Sequence, residues 1–151
     1  MKTQLTSNIE DYLEAIVMLS NENKAVRVKD ISKKMNVSMP SVHSALHTLK
    51  DQKLINHEKY GYVELTEKGE IVGNKIYEIH KKLTEFLTGI LNIEYKTAEI
   101  DACKIEHCIS SSTLEKLVAF LEFLKTDSAC RNLLKSFTCF FEETKTRVKK
   151  K

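Results

Sequence analysis

The chain holds one proline and four glycines in 151 residues. Both residue types interrupt helices, so their scarcity among long, unbroken apolar-periodic stretches predicts a mainly α-helical protein. No stretch approaches the roughly 18 consecutive apolar residues of a membrane span. The polar start, Met1 to Asn8, has no apolar signal-peptide core. We therefore expect a cytoplasmic protein with no membrane partner. No two of the four cysteines, Cys103, Cys108, Cys130 and Cys139, have the Cys-x-x-Cys spacing of a zinc ribbon. A cytosolic helical protein with a full core needs no disulfide staples, so the thiols are expected reduced. His-Glu-x-x-His, a nucleophile elbow and a glycine-rich phosphate loop are also missing. The expectation is a protein that is not an enzyme and takes no small-molecule substrate.

What is present is 42% hydrophobic residues, enough for one ordinary domain or two small ones, and a formal charge of +3. That charge is unevenly spread. From Lys24 to Tyr60 there are eight basic residues (Lys24, Arg27, Lys29, Lys33, Lys34, Lys50, Lys53, Lys59) and three acidic ones (Asp30, Asp51, Glu58). A basic zone of this kind suits a polyanion, and it equally describes a solvated helix face.

Along the chain, Ser7 to Glu10 reads as a capping box opening a helix over about 8–20, with Ile9, Tyr12, Leu13, Ile16 and Leu19 as its apolar stripe. Val28 to Met35 is a short second helix, followed by a turn through Asn36 and Val37. Ser38 caps a third helix with Pro40 in its first turn. Val42, Leu46 and Leu49 mark its buried side, and Ser41, His43, Ser44, His47 and Lys50 its exposed side. Two alternating segments, Leu54 to Glu58 and Tyr62 to Leu65, flank Gly61 as a β-hairpin. Three helices closing on a hairpin make a winged helix-turn-helix. A long helix from Thr66 to about Leu91 follows, then helices over Lys96 to Ile109, from a capping box Ser112 to Glu115 on to Leu124, and over Ser128 to Thr146. The expected division is a winged-helix domain over 1–66, an all-α domain over 67–146, and a basic tail over 147–151.

Two constellations carry chemistry. In a winged helix-turn-helix the third helix enters the major groove and the wing touches phosphate. The residues placed to do so are Arg27, Ser38, Pro40, Ser41, His43, Ser44, His47, Lys50 and Lys59. The short serines let the helix sit deep, while His47 and Lys50 reach base edges or phosphate. The second constellation is Cys103, Glu106 and His107. At i, i+3 and i+4 of one helix, a thiol, a carboxylate and an imidazole share a face, and Glu99 lies one turn earlier. Asp11 and Glu14 pair in the same way on the first helix, and His80 sits midway along the long one. Oxygen and imidazole donors suit manganese(II) and iron(II), and one thiolate moves the preference toward iron or zinc.

The segments Ile9-Glu10-Asp11-Tyr12-Leu13-Glu14, Ser38-Met39-Pro40-Ser41-Val42 and Leu65-Thr66-Glu67-Lys68-Gly69, with the His80 helix and Cys103, Glu106, His107 and Ser110, stand in consistent order and spacing. Together they resemble the family of the diphtheria toxin repressor and the manganese transport regulator, over about residues 5 to 125. The resemblance implies a homodimer, an N-terminal winged helix, a helical lobe that binds metal and dimerises, and repression of metal-uptake genes on two-fold operator DNA. It also implies metal ligands. Asp11, Glu14, His80, Glu106 and His107 fall where manganese-type members place theirs. Cys103 stands where that type has a bridging glutamate and the iron type a cysteine, and Asp11 where the iron type has methionine. Thr84 and Glu99 stand where the iron type's ancillary site has a glutamate and a histidine, so that site is at best altered. The chain mixes the two types, and its thiol favours iron(II) over manganese(II). The SH3-like third domain of longer iron-type members is not expected in it. One ion joining Asp11 and Glu14 to His80, Cys103, Glu106 and His107 would restrain the DNA-reading lobe. A dimer would then hold its recognition helices about 34 Å apart. The alternative on the same scaffold is a thiol-based redox repressor using Cys103 with Cys108, or Cys130 with Cys139.

Overall fold

The Thr6 carbonyl accepts hydrogen bonds from the amides of Ile9 and Glu10 at 2.9 and 3.0 Å, and so starts the first helix, α1 (Ser7–Glu22). The helix opens one residue earlier than the capping-box reading places it, with Ser7 inside the first turn. The computed structural model describes residues 5–22, 25–58, 61–126 and 128–148, folded as two compact units over 1–79 and 80–151.

In the first unit α1 is followed by α2 (Val28–Met35), α3 (Met39–Asp51), β1 (Ile55–His57) and β2 (Val63–Leu65). Asn36, at φ 54°, ends α2 in the left-handed region that Asn tolerates, and its amide and that of Val37 close on the carbonyls of Lys33 and Ser32. The Ser38 hydroxyl accepts from the Ser41 amide and caps α3, with Pro40 in the first turn where a missing N–H costs no helical bond. The strands pair antiparallel in the register Ile55 to Leu65, Asn56 to Glu64 and His57 to Val63. Their alternation turns Ile55 and Val63 inward. Val26 adds a bridge to Val63, so the residue before Arg27 travels with the wing. Leu13, Ile16, Ile31, Val42, Leu46, Leu49 and Leu54 fill the core between the three helices and this sheet. This is a winged helix-turn-helix, as the sequence predicts.

The long helix α4 (Glu67–Gly89) begins in the first unit, and the division between units falls inside it. The Thr66 hydroxyl caps it by accepting from the Gly69 amide and donates to the Lys53 carbonyl, while the Thr66 amide donates to the Leu54 carbonyl. The second unit continues with α5 (Tyr95–Cys108), α6 (Ser111–Thr126) and α7 (Ser128–Val148). Glu94 caps α5 by accepting from the Thr97 amide. Ser110, not Ser112, caps α6, since its hydroxyl takes the Thr113 amide and its carbonyl the Leu114 amide. Leu83, Leu87, Ala98, Ala102, Leu121 and Leu124 are buried here. Ala98 and Ala102, one turn apart, both lie on the buried side of α5. Lys82 with Glu122 and Glu85 with Lys125 tie α4 to α6 through exposed ion pairs, which add little stability by themselves. No helix among the described residues is long and apolar enough to cross a membrane.

Gly69 tests the packing of the first unit. A Cβ at this position would stand 1.8 Å from the Leu54 carbonyl oxygen, a backbone atom that cannot rotate away. Helix propensity alone predicts that Gly69→Ala stabilises the protein by about 1 kcal/mol. The contact predicts the opposite sign, a loss of about 2 kcal/mol as an overpacked site, and urea unfolding of the two proteins separates these outcomes.

Candidate metal centre and nucleic-acid interface

The exposed face of α3 carries Ser41, His43, Ser44, His47 and Lys50, with Ser38 and Pro40 exposed at its start. Opposite stands the wing, and between them an open groove of about 860 Å³ has α3 and the hairpin as its walls. Cations line it at Arg27, Lys29 and Lys50, and imidazoles at His43, His47 and His57. Several of these side chains are already engaged. Lys50 Nζ donates to the His57 carbonyl at 2.8 Å and ties the recognition helix to β1, and His47 Nδ1 pairs with Asp51 at 2.9 Å one turn on. Lys59 lies outside the described residues.

Arg27 is held at both ends. Its amide donates to the Asp30 carboxylate at 3.0 Å, and its guanidinium donates to the Tyr62 hydroxyl at 2.8 Å while lying 4.9 Å from the centre of the Tyr62 ring. The hydrogen bond to Tyr62 raises the guanidinium pKa above its ordinary value. Tyr62, His57, Met39 and Lys29 also line the groove and are not among the DNA-facing residues that the sequence suggests. Tyr62 is 35 residues from Arg27, and only the strand register brings the two together.

In the second unit the i, i+3, i+4 spacing does what the sequence predicts: one donor atom from each of Cys103, Glu106 and His107 lies within 4.8 Å of the others. From α4, His80 Nδ1 donates to Glu106 Oε2 at 3.2 Å. The other carboxylate oxygen, Oε1, lies 3.5 Å from His107 Nε2 and accepts no hydrogen bond. The Glu106 side chain is only 3% exposed, with His80 at 12% and His107 at 11%. A carboxylate removed from water is costly unless it is paired. Here an imidazole flanks each of its oxygens and a thiol stands beside it.

Carboxylate, imidazole and thiol donors fit a divalent transition ion better than calcium or magnesium, which prefer all-oxygen shells. Glu99 stands outside this cluster, its carboxylate accepting from the Tyr95 hydroxyl at 2.9 Å. Thr84, one turn after His80 on α4, is buried, and its hydroxyl has no partner among the described residues. Asp11 and Glu14 belong to the first unit, one turn apart on α1, with Glu14 buried and Asp11 half-buried. The four cysteines form no disulfide: Cys130 is buried, while Cys108 and Cys139 are exposed.

A winged helix followed by a helical unit that gathers such a donor set defines a metal-regulated DNA-binding protein. Residues 4–63 match the iron dependent repressor N-terminal DNA binding domain, and residues 66–132 match the iron dependent repressor metal binding and dimerisation domain. The HTH-type transcriptional regulator MJ0568 of Methanocaldococcus jannaschii is 35% identical over 122 residues, 80% of this chain and 98% of that protein. The HTH-type transcriptional regulator MntR of Bacillus subtilis is 30% identical over 131 residues, 87% of this chain and 92% of that one. The solved structure of the manganese regulator SloR superposes with a TM-score of 0.68 at 33% identity, covering 79% of this chain and 55% of that chain. The chain thus spans about half the length of that solved structure and nearly all of the two regulators. It belongs to the iron dependent repressor family, that of the diphtheria toxin repressor and the manganese transport regulator. Operator DNA and a second copy of the chain are accordingly its partners.

Arg27 and Tyr62 give a testable pair. Arg27→Ala is expected to weaken operator binding and reduce the slope of log affinity against log salt by about 1, the signature of one lost phosphate contact. Tyr62→Phe keeps the ring and removes the hydroxyl, so a smaller loss, about threefold to tenfold in affinity, is expected in a filter-binding or anisotropy titration. An unchanged slope in Arg27→Ala removes this residue from the interface.

Proposed function

We propose that the chain is a transcriptional repressor of metal-uptake genes whose hold on operator DNA tightens when a divalent transition metal, iron(II) or manganese(II), is bound. The observation that carries this reading is the buried Glu106 carboxylate with His80 and His107 on its two oxygens and Cys103 beside it, inside the family's metal binding and dimerisation domain. His80, Cys103, Glu106 and His107 would hold the ion from the second unit, and Asp11 and Glu14 of α1 complete the ligand set by family resemblance. Iron(II) is preferred because a thiol ligand is the feature least expected of a manganese site. The bound ion supplies concentrated positive charge, which lowers the cost of keeping these carboxylates together.

The residues of this chain then do the rest. With Asp11 and Glu14 engaged, α1 is restrained, and α1 packs against both α2 and α3 of the DNA-reading unit. A two-fold operator requires the paired α3 helices at one helical turn of DNA or a multiple of it. A protein that populates this arrangement only part of the time binds more weakly by that fraction. Ser38, Pro40, Ser41, His43, Ser44 and His47 on α3 would face base edges, with Arg27, Lys50 and Lys59 toward phosphate. The functional division into residues 1–66 and 67–146 follows from these roles.

The test is an anaerobic operator titration with iron(II) and with manganese(II). The native protein is expected to bind about 5-fold to 150-fold more tightly with metal, the usual range for such coupling. His107→Ala should lose the response and keep its helical circular dichroism. A native protein indifferent to both ions contradicts the reading, and loss of helicity in His107→Ala would make His107 a packing residue.

A further inference from the structure

Helix α7 carries an apolar stripe that the protomer leaves largely uncovered. Cys130, Leu133, Leu134, Phe137, Phe140 and Phe141 recur at three-residue and four-residue intervals, the spacing of a helix-pairing seam, and no charged residue interrupts it. The stripe opens on buried Cys130 and half-buried Leu134, where α7 packs against α6. Beyond that point Leu133 is 62% exposed, Phe137 41%, Phe140 66% and Phe141 49%. Phe137 and Phe141 already stack, with ring centres 6.5 Å apart. Large aromatic side chains grouped in this way are not an ordinary scatter of surface hydrophobics.

We propose that this stripe is an extension of the dimer interface, covered by the same face of α7 from a second copy of the chain. The inference rests on the homodimer that the family match gives and adds to it a surface outside the matched domain. That domain ends at residue 132, whereas α7 starts at Ser128 inside it and continues to Val148. The stripe therefore begins within the dimerisation domain and runs out of it without a break. A two-fold contact must be self-complementary, and an uncharged apolar stripe meets that condition against its own copy without opposing like charges. The four exposed side chains offer on the order of 400 Å² per protomer. A standard interface buries roughly 800 Å² per partner, so α7 enlarges a dimer built elsewhere and is too small to make one alone.

The experiment is fluorescence-detected sedimentation of the full-length native protein, of Phe137→Asp and Phe140→Asp, and of Cys139→Asp as a control on the opposite, exposed side of α7. Each substitution occurs twice in the dimer. Both phenylalanine variants are expected to raise the dimer dissociation constant at least tenfold with unchanged helical circular dichroism, because neither side chain is buried in the protomer, and Cys139→Asp to change it less than threefold. Dissociation constants that stay at the native value in both phenylalanine variants overturn the proposal and leave the family dimer intact. Equal weakening by Cys139→Asp overturns it as well, since the effect would then belong to the helix and not to the stripe. A native protein that sediments as a monomer at micromolar concentration overturns the family dimer and this extension together.

Discussion

The arrangement around Glu106 is the constraint on which the functional reading depends. Its carboxylate is withdrawn from solvent, one oxygen bonded by His80 and the other facing His107 without a hydrogen bond. A core built only for stability would do better with apolar side chains of the same volume, since a buried polar cluster recovers its desolvation cost only when every member is satisfied. The cluster instead keeps oxygen, nitrogen and sulfur donors together at short range. That is the composition a transition-metal shell needs.

The same economy appears in the DNA-reading unit. Lys50 joins α3 to β1, Arg27 joins the start of α2 to the wing through Tyr62, and Val26 bridges Val63. These links tie the wing to the recognition helix and to the start of α2, the three elements that line the groove. Gly69 contributes from the other side, because only a residue without Cβ lets the first turn of α4 lie against the Leu54 carbonyl.

Much of this was legible in the residues. Apolar stripes at helical spacing give the helix order, and Gly61 between two alternating segments gives the wing. Cys103, Glu106 and His107 share a face by spacing alone, because a helix fixes that geometry locally. The exact helix starts were less legible. Thr6-Ser7 and Ser110-Ser111-Ser112-Thr113 each offer several hydroxyls in a row, and which one caps depends on where the preceding chain leaves the helical region. Pairings across long separations were hidden for a different reason. His80 meets Glu106 over 26 residues and Arg27 meets Tyr62 over 35, and neither contact exists until helix packing and strand register are set. Tyr62 therefore gave no signal beyond an aromatic residue in a strand.

The most direct test is calorimetric titration of manganese(II) into the native protein and into Glu106→Gln, which keeps the shape of the side chain and removes its charge. The account predicts a loss of at least a hundredfold in metal affinity with helical circular dichroism retained in metal-free buffer. Equal affinity in the two proteins would contradict it.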